Sequence, residues 1–382
     1  MRKIQFLTVF LFVVLLGIGE WKASQRPLWN DEYYSLLSST LRTSYKSIIL
    51  GKVNEGSNSP LFYFLQKAQC NLFSYHPPQE WLAGHWGGVY VFDQFFLRIQ
   101  SVIFMSAALA ALFYYFARRN SLLVGVYALA VALTSTLLWF HWTEARPYAD
   151  WLALSMFQIL FLLNILERPF DQNKKCWMFL VIIHWLLALT TDISIVQIMA
   201  AGIALWTFHR TRLLGNVLLV LVPLGVCSFY YLHAPHYPMF FVNGPMELIN
   251  ANIPKDRLFI IVMSAIVLIL QSKGKGWNIH LENKYLVFFI LMLGAFGLVI
   301  LQLKCSQYGQ RGFWVSSRYF LSLLPTGIVG TVLLSIALVR AFPSRIWKAA
   351  ATVFLAGLFV FRFEKTTPQT FHHLNTFFHL KH

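Results

Sequence analysis

The sequence predicts an all-α polytopic membrane protein, and three observations predict it. Hydrophobic residues make up 57% of the 382 positions and charged residues only 12%, too apolar for a soluble domain of this size. The apolar residues fall in runs close to the ~20 that cross a bilayer. The connections between runs alternate between basic and acidic, as the positive-inside rule requires of a polytopic chain.

The first run, Ile4 to Trp21, follows Arg2-Lys3 in the manner of a signal peptide. No small-x-small cleavage site comes after it and a carboxylate pair lies just beyond, so it reads as a retained helix. Further runs lie at about 98–117, 121–140, 148–166, 176–191, 193–208, 213–232, 258–271, 284–303, 318–339 and 346–362, which gives about eleven spans. The run at 258–271 is short, and the chain around Thr190-Thr191-Asp192 is hard to divide, so the count is open by one. Residues 1–212 read as an N-terminal module with a first outer loop at 22–97. Residues 213–382 read as a C-terminal module with outer loops at 233–257 and 304–317.

Placing the N-terminus in the cytoplasm makes every inner connection basic: Arg118-Arg119, Arg168 with Lys174-Lys175, Arg210 with Arg212, Lys273 with Lys275, and Arg340 with Arg345. The alternate connections hold most of the acids, and the C-terminal tail falls outside. The net charge of +16 is scattered through short loops, so orientation and anionic lipid explain much of it and nucleic acid is not implied. Lys22, Arg26, Arg42, Lys46, Lys52, Lys67, Arg311 and Arg318 remain on the outer side, where the rule does not ask for them. Either they rest on headgroups or they meet an anionic ligand. Four cysteines show no metal spacing; Cys70 and Cys305 are both outer and free to pair, though nothing requires it.

After the first run comes Trp29-Asn30-Asp31-Glu32-Tyr33-Tyr34. Two adjacent carboxylates between aromatic residues at a bilayer boundary are unusual in a chain with 15 acidic residues, and ionisable groups at membrane depth tend to be functional. The plain alternative is that Asp31 caps an interfacial helix. Tyr33 to Leu50 is mixed apolar and basic and predicts a helix lying in the interface. A turn-rich loop, Gly51 to Pro60, follows, and a second interfacial helix is predicted from Leu61 to near Phe73. An outer connection this long is usually functional.

The third and fourth spans are joined by a turn containing Glu144, Arg146 and Pro147, with a helix start predicted at the proline. Glu144 and Arg146 are either a local ion pair or the support of the Asp31 loop. Asp192 stands alone between two apolar runs, as a helix cap or a site residue. Arg318, followed by Tyr319, either snorkels at the mouth of its span or, with Arg311, offers forked guanidiniums to a phosphate. No nucleotide loop, His-x-x-x-His pair, Gly-x-Ser-x-Gly elbow or internal repeat is present in the sequence, which argues against a motor-driven pump, a membrane zinc protease and a repeat-built transporter.

The order of these features resembles a known family. A first span is followed by Trp-x-Asp-Glu, then Asn-Ser-Pro-Leu-Phe-Tyr, then an Arg-led second span ending in Arg-Arg. A Glu-Ala-Arg-Pro-Tyr-Ala turn and a late Arg-Tyr-Phe-Leu-x-Leu-Leu-Pro span complete it. The chain is similar to the GT-C membrane glycosyltransferases, in the branch of the protein O-mannosyltransferases and the lipid A aminoarabinose transferase. The resemblance is strongest over residues 1–210, with a second patch at 318–325. Relatives often read His-Pro-Pro-Leu-Tyr-Tyr where this chain has Asn58 to Tyr63, so no role for a histidine is carried over.

The resemblance implies a polyprenyl-phosphate sugar as donor, a glycan, lipid or protein hydroxyl as acceptor, and transfer on the outer face of the membrane for a cell-envelope glycan. It matches Asp31 to the catalytic Asp of the first outer loop, with Glu32 beside it, and Arg318 to residues that hold the lipid phosphate. Lys52 is the nearest basic candidate in the first loop, and Tyr319, Arg311, Glu144, Arg146 and Asp192 complete the candidate donor site. Transfer needs a base for the acceptor hydroxyl and cations for the departing phosphate. No cofactor is expected; a metal is not demanded, although some relatives use one. The whole reading is of a bacterial inner-membrane protein with a cytoplasmic N-terminus and a periplasmic site. The competing expectation is a transporter or flippase of lipid-linked sugars, which would need ionisable groups lining a path at mid-membrane rather than at span ends.

Overall fold

A computed structural model of the chain describes residues 2–53, 59–84, 90–168, 172–209, 215, 217–233, 239–241, 245–272, 281–306, 313–315, 317–342, 344–346, 348–355 and 357. Its elements are α1 (Arg2–Gln25), α2 (Asn30–Tyr34) running into a π-helical turn (Ser35–Leu41), α3 (Tyr45–Ile49), α4 (Leu61–Leu72), α5 (Gln79–Leu82), α6 (Val91–Arg119), α7 (Leu122–Leu133), α8 (Thr136–Trp142), α9 (Pro147–Glu167) and α10 (Lys174–Thr190). A 3-10 turn (Asp192–Ser194) leads into α11 (Ile195–His209), and a π turn (Val217–Leu221) into α12 (Val222–His233). Then come β1 (Met239–Phe241), α13 (Pro245–Asn252), α14 (Lys255–Ser272), α15 (Leu281–Ser306), β2 (Phe313–Val315), a 3-10 turn (Ser317–Phe320) and α16 (Leu323–Ala341).

Six of these stretches are long and apolar enough to cross a membrane, or seven if α7 and α8 form one bent span. The expected eleven are not confirmed, because the remaining runs are broken, shorter, more charged or only partly described. The run at 121–140 is divided at Thr134-Ser135, where the Ser135 hydroxyl caps α8 by accepting from the Leu138 amide, and the chain bends by 79°. α10 has 17 residues, α12 is preceded by a π turn, and α14 opens on Lys255-Asp256-Arg257. The last run, 346–362, lies only partly within the described residues. The fold is all-helical, as expected, but for one three-residue backbone pairing. The backbones of β1 and β2 pair in parallel, Met239 opposite Phe313, tying the loops after α12 and α15 together.

Helices from both halves share one hydrophobic core, to which α6, α9, α11, α15 and α16 all contribute. α9 is its centre, buried on nearly every face. α1 is the opposite case. It buries Leu15, Gly19, Lys22 and Ala23 against the bundle and leaves Phe6, Val9, Phe10 and Val13 exposed, as a helix facing hydrocarbon does. Gly19 allows the close approach: a Cβ there would stand 2.5 Å from Val102 Cγ1 and 3.0 Å from Trp142 Nε1.

The first loop has a small core of its own, built from Leu28, Tyr33, Leu36, Ile48, Phe62, Tyr63, Cys70, Trp81, Phe96 and others. The helix expected over 33–50 is two pieces, because Ser44 caps α3 by accepting from the Ser47 amide and the π turn ends at Leu41. The second expected helix is present as α4. Lys67 Nζ donates to the carbonyls of Thr40 (3.1 Å) and Leu41 (3.2 Å), closing the π turn as a basic side chain closes a helix C-terminus. Cys70 is a buried free thiol in this core, and the Cys305 side chain lies outside the described residues.

Candidate functional site

Glu32 and Asp31 are neighbours in sequence with opposite environments. Glu32 is buried, and its carboxylate accepts from the Trp29 amide at 3.1 Å, so the residue that caps α2 is Glu32 and not Asp31. It also accepts from Arg98 Nε (2.9 Å) and Arg98 Nη2 (2.6 Å), a two-point fork, and from the Ala145 amide at 2.7 Å. Arg98, fully buried on α6, gives its remaining N–H groups to the carbonyls of Ala23 (2.8 Å), Pro27 (3.0 Å) and Arg26. All five guanidinium donors are therefore used. One buried ion pair joins the end of α1, the start of α2, α6 and the turn before α9.

On that frame Asp31 stands at the surface, its side chain 38% exposed. A single oxygen, Oδ2, accepts from Arg146 Nη1 at 2.6 Å and from Arg318 Nη1 at 3.0 Å. Three distant segments meet at this atom: the first loop, the turn before α9 and the 3-10 turn before α16. Aromatic rings hold the two cations. Arg146 lies over Tyr148 (5.0 Å) and Trp29 (5.8 Å), and Arg318 over Tyr319 (5.4 Å) and the same Tyr148 (5.8 Å). Burial works against the Arg318 charge, but Tyr148, Tyr319 and Asp31 outweigh it and raise its pKa, so it stays a cation. Burial raises the Tyr319 phenol, opposed by Arg318. Arg318 Nε and Trp29 Nε1 are buried donors without a hydrogen-bond partner among the described residues.

Glu144 stabilises the turn that carries Arg146. Its carboxylate takes His141 Nδ1 at 2.5 Å, and its carbonyl accepts from the Ser101 hydroxyl (2.6 Å) and the Arg146 amide (2.8 Å). Burial alone would raise its carboxyl, but His141, Arg146 and Arg26 more than offset that and hold it low. Pro147 then starts α9 with its fixed φ. The turn lies against the Asp31 loop through both Arg146 and the Ala145 amide.

Of the residues singled out in the sequence, Asp31, Glu32, Arg146, Arg318, Tyr319 and Glu144 come together. Asp192 does not. It accepts from its own neighbours, the Ile193 amide at 2.8 Å and Thr191, and no contact among the described residues joins it to Asp31. Lys52 is exposed and makes no ion pair among the described residues. Arg311 lies outside them. Among the described residues no group of three or more His, Cys, Asp or Glu gathers as metal ligands would.

The roles of four neighbours are not apparent from the sequence motifs. Arg98 reads there only as the leader of a span, though an arginine inside an apolar run demands a partner. His141 gives no signal beyond composition, while Trp29 and Tyr148 stand inside the Trp-x-Asp-Glu and Glu-Ala-Arg-Pro-Tyr-Ala motifs with no role of their own there. Lys22 and Arg26, too, have a use that charge counting misses, since they donate to the carbonyls of Trp139 and Phe140 in the second half of α8. No family model matches this chain, and no curated protein matches it.

Proposed function

We propose that the protein is a glycosyltransferase that moves a sugar from a polyprenyl-phosphate donor to an acceptor hydroxyl on the outer face of the membrane, with inversion. The observation that carries the proposal is an exposed carboxylate, Asp31, gathered with two aromatic-backed guanidiniums, Arg146 and Arg318, on a buried Glu32–Arg98 frame. The resemblance of the Trp-x-Asp-Glu loop and the late Arg-Tyr span to GT-C enzymes supports the same chemistry.

Asp31 accepts the acceptor's hydroxyl proton as that oxygen attacks the anomeric carbon from the face opposite the phosphate. The bond from that carbon to the phosphate oxygen breaks, and the leaving polyprenyl phosphate keeps the electron pair and gains one negative charge. Arg318 and Arg146 hold that charge as it develops, which is where electrostatic catalysis acts. Glu32 and Arg98 are positioning residues: they fix the backbone of α2 without touching substrate. The length of α6 agrees with a site at the membrane boundary. Counting about 20 residues, one bilayer crossing, back from Arg118 reaches Arg98.

A lipid-linked-sugar transporter is the second reading. What favours it is polar burial within the helix bundle, where Asp150 takes Gln100 Nε2 at 2.5 Å and His184 is buried. His184 is held at both nitrogens, by the Leu219 carbonyl at 2.6 Å and by Gln158 at 2.9 Å, which suits a fixed helix contact better than a moving one. Mass spectrometry of lipids that co-purify with the protein, followed by a transfer assay in proteoliposomes, tests the proposal. The expected result is release of polyprenyl phosphate together with a glycosylated acceptor. Movement of donor across the bilayer with no glycosyl transfer would favour the transporter.

A further inference from the structure

The proposed chemistry leaves one feature of the cluster unexplained. The two guanidiniums assigned to the phosphate are already occupied, and by the same oxygen of the base, Asp31 Oδ2. We infer that Asp31 is an internal stand-in for the phosphate, so that an arriving phosphate takes Arg146 and Arg318 from it and thereby releases the carboxylate toward the acceptor. The inference rests on the reading of this cluster as a phosphate site, and it concerns the order of events there.

Three observations support it. Carboxylate and phosphate bind a guanidinium fork in the same way, so they compete for it, and their like charges repel when both are near. The cations are better anchored than the carboxylate. Arg146 and Arg318 share the Tyr148 ring and have side chains only 8% and 23% exposed, against 38% for Asp31. The α2 backbone is held separately by Glu32 and Arg98, so the Asp31 side chain can turn away without unseating its helix. Finally, Arg318 Nε and Trp29 Nε1 are buried donors that have no hydrogen-bond partner among the described residues. A phosphate offers more acceptor oxygens than a carboxylate and can use donors that Asp31 leaves idle.

Release of Asp31 by the phosphate makes the two mutually antagonistic. Removing the carboxylate charge must therefore strengthen phosphate binding even as it removes the base, since the coupling is reciprocal. A residue that merely helped to bind donor would give the opposite sign.

The test is calorimetric titration of the full-length protein in detergent with inorganic phosphate and with a short-chain prenyl monophosphate. Asp31→Asn should bind both about tenfold more tightly than the parent, and Arg146→Ala and Arg318→Ala should each bind both more weakly. Unchanged or weaker binding by Asp31→Asn overturns the inference, as does binding that neither arginine affects. The ratio between the two probes identifies the source, a lipid phosphate if the prenyl form is favoured and a free phosphate if the two are equal. Infrared difference spectra of the unaltered protein with isotope-labelled aspartate give a second reading. Phosphate should shift a carboxylate band that is unmoved in Arg318→Ala, and no shift in the parent contradicts the inference. None of these measurements needs sugar transfer. A protein that tightens on phosphate as expected but transfers no sugar leaves this inference standing and refutes the transferase.

Discussion

Arg146 and Arg318 reach the same oxygen of Asp31 from 115 and 287 residues away in sequence, at 2.6 and 3.0 Å. Residue 32 is engaged as differently as a neighbour can be, in a buried fork with Arg98. One step along the chain thus separates a carboxylate that serves the fold from one that stands partly exposed at the surface. Each half of that division predicts its own consequence on mutation.

The frame should be sensitive to losing one partner. Arg98→Ala leaves the Glu32 charge buried and three carbonyls without their donor, and breaking a buried pair in this way costs about 3–5 kcal/mol. Replacing both residues together, Arg98→Met with Glu32→Leu, should recover only the part due to the unpaired charge, since the backbone groups that both side chains engage stay without partners. Thermal midpoints in one detergent measure it. An Arg98→Ala protein as stable as the parent would show that the fork contributes little.

The sequence reveals which residue types matter at this site but not which of them meet. Trp-x-Asp-Glu, Glu-Ala-Arg-Pro and the late Arg-Tyr each stand out locally, because charges beside apolar runs are rare. Their pairing depends on contacts between distant segments, which no local periodicity encodes. The choice between Asp31 and Glu32 is one such case: it is decided by Arg98 and the Ala145 amide, 66 and 113 residues further on. Span counting is limited for another reason. A hydropathy run averages across the break at Thr134-Ser135, where one hydroxyl cap turns the chain by 79°. Asp192, conspicuous as a lone acid, accepts within its own turn, from the Ile193 amide, and among the described residues it does not join the Asp31 cluster.

Glu144 gives a pH dependence whose sign follows from its surroundings. Burial would raise it, but His141, Arg146 and Arg26 hold it below the ordinary value of 4.5. A carboxyl lowered in the folded state contributes stability that is full above the unfolded value and is lost as pH falls through the folded one. Thermal midpoints of the parent should therefore fall more steeply below 4.5 than those of Glu144→Gln, which lacks the titrating group. Parallel acid limbs would contradict this.

The guanidiniums should matter by shape as well as charge. Arg318→Lys keeps the cation and loses the planar fork, so transfer should fall while part of phosphate binding survives. Arg318→Ala should lose about 2–5 kcal/mol of phosphate binding, the range for truncating one partner of a buried charged contact. Arg146→Ala should behave alike, since both hold the same oxygen. Donor affinities measured on the purified variants decide it, and parent-like binding by Arg318→Ala would reduce that residue to a side chain snorkelling at its span.

The most direct measurement is the rate of sugar transfer by Asp31→Asn from a polyprenyl-phosphate donor in proteoliposomes, with protein level and donor binding followed alongside. Asparagine keeps the size of the side chain but cannot accept the proton. Loss of a positioned base costs about 10²–10⁴ in rate, so turnover should fall within that range while the donor phosphate binds at least as tightly as before. Near-parent turnover by Asp31→Asn would contradict the assignment of Asp31 as the base, and with it the reading of this cluster as the centre of glycosyl transfer.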